Sequence, residues 1–250
     1  MSRRTTRTAT RIITAETPAH PGAVAGQALL RLLHLSSPAL PIGAFHFSQG
    51  LEYAVDAGWV RDEAGALEWI EGLATASLAT LDLPVLHRLH AAWSRNDYLA
   101  VKRWNACLIA SRETHELRLE DRHLGSALFR VLEELGLTSS LYPTQRRADE
   151  IGVAYATAFA FACASWRIDG AAAAHAYAWT WTENQVLASV KLVPLGQSAG
   201  QRMLHVLGTR LGVLVPLSNE VRDSDIGIST AVAALASGLH ETQYTRLFKS

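Results

Sequence analysis

From Glu113 to Gly136 the chain reads ETHELRLEDRHLGSALFRVLEELG, and its apolar residues Leu117, Leu124, Leu128, Phe129, Leu132 and Leu135 recur at helical spacings. The pattern predicts an amphipathic helix with Glu113, Glu116, Glu120, Asp121 and Arg122 mainly on its solvated side and Gly136 ending it as a C′ residue. Comparable periodicity predicts helices over about 62–80, over 84–94 opening on Pro84, over 96–110 opening on Asn96 and Asp97, and over 147–166, 170–192 and 196–212. The alanine-rich STAVAALASG near the end adds another with a small-residue face. Within 147–166, IGVAYATAFAFACASW carries no charge, yet it is too short and too rich in small residues to span a membrane comfortably, so a buried core helix is expected. Strand-like alternation is sustained nowhere, and no repeat period suggests a solenoid. The expected class is all-α: a single-domain bundle of roughly eight to eleven helices.

Two corners interrupt this pattern. In SSPALPIGAFHFSQGLE, Ser36 to Glu52, Pro38 and Pro41 each fix the backbone and lack an amide donor, so the stretch is a shaped connector and neither a helix interior nor a central strand. Ser48 is placed to accept the amide three residues on where the helix resumes, although Gly50 weakens that first turn and Glu52 falls one residue late for a capping box. PLGQSAGQRML, Pro194 to Leu204, repeats the grammar: a proline ends one helix, Gly196 turns, and Gln197 starts the next. The terminal HETQYTRLFKS sets Tyr244, Leu247 and Phe248 beside Arg246 and Lys249. Such aromatic and arginine anchors suit an interface core, and they suit equally a tail packed on its own domain.

Charge narrows the partners. Lys plus Arg and Asp plus Glu number 23 each and no basic block occurs, so nothing in the composition would gather nucleic acid. The N-terminal MSRRTTRTATRIIT has no acidic residue until Glu16, but no apolar run follows its arginines and a Pro/Gly/Ala stretch comes next. The expectation is a disordered cytoplasmic tail over 1–26 before an all-helical domain over 27–250. Cys107 and Cys163 fall in different predicted helices without a CxxC or Cys/His cluster, as ordinary core residues of a reducing compartment would.

Candidate chemistry is sparse. His87 and His90 share a helix face but have no third ligand at metal spacing. His115 and His123 flank a Glu-rich helix, yet the Glu-x-x-His element of di-iron bundles occurs only once, from Glu120 to His123. No GxxxxGK[ST] phosphate loop and no GxSxG nucleophile elbow is present, and Ser37 and Ser48 have turn and capping duties. No catalytic residue, metal site or cofactor is assigned from these patterns.

Four blocks in order, SSPALPIGAFHFSQGLEYAVDAGWV, SRETHELRLEDRHLGSAL, KLVPLGQSAGQRML and the terminal YTRLFKS, together resemble the UreF family of urease accessory proteins from about Leu29 to the last residue. Phe47 stands where that family usually carries Tyr, and Lys191 where Arg is commoner. The resemblance implies an all-α homodimer without a catalytic centre, a scaffold joining a UreD/UreH-type accessory protein to the nickel-carrying GTPase UreG. It implies, too, that the chain modulates the GTPase and routes nickel toward apo-urease. On this reading Pro38, Pro41 and Gly43 fix an interaction corner in which Phe45 and Phe47 present apolar surface, either inward to the core or outward to a partner, with the inward role at least as well supported for Phe45, and Ser48, Gly50 and Glu52 start the next helix. Pro194, Gly196 and Gln197 form a second corner, and residues 239–250, with Tyr244, Arg246, Leu247 and Phe248, form the tail that docks the UreD/UreH-type partner. The rival class is a helical-bundle enzyme with a metal or small-molecule pocket built from His and Glu on facing helices.

Overall fold

The computed structural model describes residues 21–142, 152–227 and 230–250. Helix α1 (Pro21–Leu35) opens on a proline, which suits a first helical turn because its missing amide would be unpaired there anyway. It starts ahead of the boundary expected near Gly26, and residues 1–20 lie outside the described residues. The first corner follows, with one 3₁₀ turn at Ala44–His46, and leads into α2 (Leu51–Asp56) and α3 (Glu63–Leu73). Next, α3 widens into a π-helical stretch, Ala74–Asp82, that continues into α4 (Leu83–Ser94). Pro84 has no amide to offer the carbonyl of Thr80, which accepts instead from Gly227 N at 3.4 Å.

The remaining helices are α5 (Tyr98–Ser111), α6 (His115–Glu134), α7 (Tyr155–Ser165), α8 (Gly170–Leu192), α9 (Gln197–Ser218) and α10 (Ala231–His240). Short polar side chains start many of them. Asp62, Asp97, Thr114, Asp169 and Thr230 each accept a first-turn amide of α3, α5, α6, α8 and α10 respectively, a contribution of about 1 kcal/mol apiece. Gly136, at φ +83°, ends α6 as its spacing predicts. No strand occurs among the described residues, so the class is all-α.

The uncharged α7 is buried from Tyr155 to Cys163 and packs between α4 and α6, with α8 alongside. Its start is held by Asn105 of α5, which donates to Gly152 O and accepts from Ala154 N and Thr157 Oγ1 at 2.9–3.0 Å. The sequence predicts this helix from 147. Residues 143–151 lie outside the described residues, and α7 begins at Tyr155, after an extended Ala154, where Val153 and Ala154 pack against Gly125 of α6. A Cβ at Gly125 would stand 2.2 Å from Val153 O, so glycine is what permits this approach. A second buried cluster joins Leu51 and Ala54 of α2, Ile70 of α3, Val186 of α8 and Met203 and Leu207 of α9 to Phe248 of the tail.

One expectation fails in an informative way. Glu116, Glu120 and Asp121, assigned to the solvated side of α6, are all buried, while Leu119 and Leu135 are about half exposed. Glu116 meets His240 of α10 and Arg246 of the tail, Glu120 accepts from Gln49 and Ser250, and Asp121 pairs with Arg112 after α5.

Candidate functional site

The first corner is shaped by left-handed backbone at Gly43 (φ +78°), Gln49 (φ +54°) and Gly50 (φ +84°). Gly50 is required twice over: its conformation disfavours a side chain, and a Cβ would sit 2.9 Å from Ser237 N in α10. Ser48 caps α2 one residue later than its spacing suggests, accepting from Glu52 N at 3.3 Å while Gly50 takes the cap position. Phe47 turns inward and is buried, whereas Phe45 stays half exposed; Pro38 and Pro41 lie on the surface.

Across this corner lies the chain's own C-terminal tail. Glu52 accepts from Leu247 N at 2.6 Å and from Phe248 N at 2.8 Å. Lys249 N donates to His46 O at 2.7 Å, and Ser250 O accepts from Ser48 N at 2.6 Å and from Ser48 Oγ. Ser250 Oγ donates to Glu120, whose other oxygen accepts from Gln49 at 2.8 Å, and Gln49 in turn accepts from Trp181 Nε1 of α8. Arg246 donates to Glu116 at 2.8 Å, and His240, the last residue of α10, stands between Glu116 (2.7 Å) and Glu52 (3.0 Å). The structure thus brings Ser48, Gly50 and Glu52 together with Arg246, Leu247 and Phe248. Phe248 enters the second cluster, which Val193 shares beside the exposed second-corner residues Pro194, Gly196 and Gln197. Lys191 spans the region, its Nζ 5.7 Å from the ring centroids of both Phe45 and Phe248.

Two groups of tail side chains have opposite fates. Phe248 is buried, but Tyr244 is fully exposed at 103% and Leu247 at 68%, and α10 shows Val232 and Leu235 one turn apart on its outer face. Sequence reasoning identified these tail residues yet missed His240, Gln49, Ser250 and Trp181, and took Glu116 and Glu120 for solvated residues.

Burial pushes the Glu120 carboxyl up to about 7, an effect that the hydrogen bonds from Gln49 and Ser250 oppose only in part. The folded chain therefore keeps a proton between about pH 4.5 and about pH 7 where the unfolded chain has lost it. Stability contributed by this group is complete below that window and is lost as pH rises through it. Denaturant titrations from about pH 5 to about pH 8 should show a falling midpoint, and E120Q should flatten the slope. An equal slope in E120Q would assign the dependence to another group.

Beside the corner, a cavity of about 90 Å³ is lined by Arg112, Glu120, Asp121, Tyr155 and Gln185 among others. Arg112 bridges Asp82 of the π-helical stretch and Asp121 of α6, at 2.9 Å to the latter. Burial opposes its charge, but the two carboxylates prevail and hold the guanidinium above its usual range. His87 and His90 are engaged separately, with Ser218 and Ile168 O, and burial, followed by Arg88 and other positive neighbours, lowers the His87 value. Among the described residues no group of three or more His, Cys, Asp or Glu side chains is placed to hold a metal ion, and no helix is long and apolar enough to cross a membrane.

The UreF family model matches residues 60–208. Urease accessory protein UreF of Alkalilimnicola ehrlichii is 47% identical over 225 residues, covering 90% of this chain and 97% of that protein. The proteins of the same name from an Azoarcus species and from Hahella chejuensis are 47% and 42% identical over 223 residues, each covering 89% of this chain and 95% and 98% of their own lengths.

Proposed function

The chain belongs to the UreF family of urease accessory proteins, and from that membership we propose that it is a cytoplasmic, non-catalytic scaffold that joins a UreD/UreH-type protein to a nickel-carrying UreG-type GTPase. It acts as a homodimer, modulates the GTPase and supports nickel insertion into apo-urease. The observation that carries this reading is the union of corner, α10 and tail: the buried Glu52 carboxylate holds the tail backbone while Tyr244 and Leu247 point to solvent. Nonpolar side chains displayed on an ordered backbone are what a docking surface requires, since less ordering entropy is then lost on binding. The tail with α10 meets the UreD/UreH-type partner, and the two corners, with Phe45 and Lys191 between them, complete the assembly surface.

Reconstitution tests the function: apo-urease, nickel, bicarbonate, nucleotide and the other accessory proteins, with and without this chain. The expected result is activation dependent on the chain, and activation to the same level without it would overturn the scaffold role. Metal analysis of the purified chain separates the rival enzyme reading, which requires a stoichiometric metal or other cofactor, from a scaffold that holds none tightly.

A further inference from the structure

Four charged groups meet where the tail crosses the corner: Glu52, Glu116, His240 and Arg246. The two carboxylates are each 6% exposed and the imidazole is fully buried, so their charges must be compensated within the protein. Both ring nitrogens of His240 face carboxylate oxygens, Nδ1 toward Glu116 at 2.7 Å and Nε2 toward Glu52 at 3.0 Å. A neutral imidazole has only one N–H and would turn its lone pair on the second carboxylate; an imidazolium donates to both. With Arg246 on the other oxygen of Glu116, two positive groups then balance two negative ones. Glu241 does not enter this balance, because its carboxylate accepts the amides of His115 and Glu116; Glu120 lies one turn along α6 and is held by Gln49 and Ser250.

We propose that His240, as a buried imidazolium, is the positioning residue of the C-terminal tail: it holds Glu52 and Glu116 together so that they in turn fix the Leu247 and Phe248 amides and Arg246. This rests on the reading that the tail docks a partner, and it identifies what sets the direction of the docking side chains. Tyr244 and Leu247 are exposed; the backbone bonds to Glu52 fix the presentation of Leu247 directly, and that of Tyr244 follows from the Arg246 bond to Glu116 and the Leu247 anchor that end its segment. Without the imidazolium, two buried carboxylates repel across the gap it leaves, and the tail is the element that gives way, because its outward side chains add little burial.

Isotope-labelled full-length chain gives the direct readout. Nuclear magnetic resonance should show two protonated imidazole nitrogens on His240, and the Leu247 and Phe248 amides should be protected from hydrogen exchange. In H240L those two amides should exchange at least about tenfold faster while α7 amides keep their protection, and affinity for the UreD/UreH-type protein should fall about tenfold. A single N–H on His240, or unchanged exchange at Leu247 and Phe248, overturns the proposal. If H240L does not fold, the imidazole signals of the unmodified chain decide the question alone. Faster tail exchange with undiminished partner affinity supports His240 as the clip and counts instead against the docking role of the tail.

Discussion

A chain ending at Gln243 should lose co-purification with a UreD/UreH-type protein to about a tenth or less of the full-length yield, and urease activation with it. The truncation removes the exposed anchors Tyr244 and Leu247, the Arg246 bond to Glu116 and the buried ring of Phe248 at one stroke. Because Phe248 belongs to the second cluster, part of the loss reflects stability, about 3–5 kcal/mol when such a ring leaves a core. The double variant Y244A/L247A isolates the interface. Both side chains point to solvent, so its melting temperature should stay near that of the unmodified chain while partner affinity falls about tenfold or more. Unaltered co-purification of the truncated chain would remove the tail from the interface.

Replacing Arg112 by Leu should be the most destabilising change at a single polar position, costing about 3–5 kcal/mol. Asp82 and Asp121 both depend on this guanidinium, with side chains only 10% and 5% exposed, and Asp121 also accepts the Tyr155 amide that begins α7 at 2.6 Å. Two unpaired buried carboxylates would strain the π-helical stretch, the end of α5, α6 and the start of α7 together. For a chain of this length the melting temperature should drop by roughly 6–15 °C, measurable by circular dichroism. R112K should fall between, since one ammonium cannot reproduce a planar fork serving two carboxylates. A loss below about 1 kcal/mol in R112L would mean that water reaches and screens the aspartates.

The Arg112 expectation concerns charge in the interior, and interior charge is what the sequence shows least. Glu116 and Glu120 continue a ladder of every fourth residue that runs through Leu124, Leu128 and Leu132, all buried, so their position in line with the apolar stripe was available. Their chemical type argued the other way, because carboxylates are seldom buried unless paired. The partners lie far along the chain: Glu116 is 124 residues from His240 and Glu52 is 188 residues from it. No local pattern announces a pairing across that span. The tail was recognised by its aromatic and arginine content, but its division into an inward Phe248 and an outward Tyr244 and Leu247 depends on which amides Glu52 accepts.

What the sequence alone determined is local. Helical periods, the opening of α5 at Asp97 and the proline and glycine corners rest on interactions within a few residues, and α8 spans the predicted 170–192 for that reason. Where α7 begins, how far α9 runs past 212 to Ser218, and which acidic residues are interior were decided only by the tertiary structure. Burying a charge is favourable only when an opposite charge and its hydrogen bonds arrive from elsewhere in the fold.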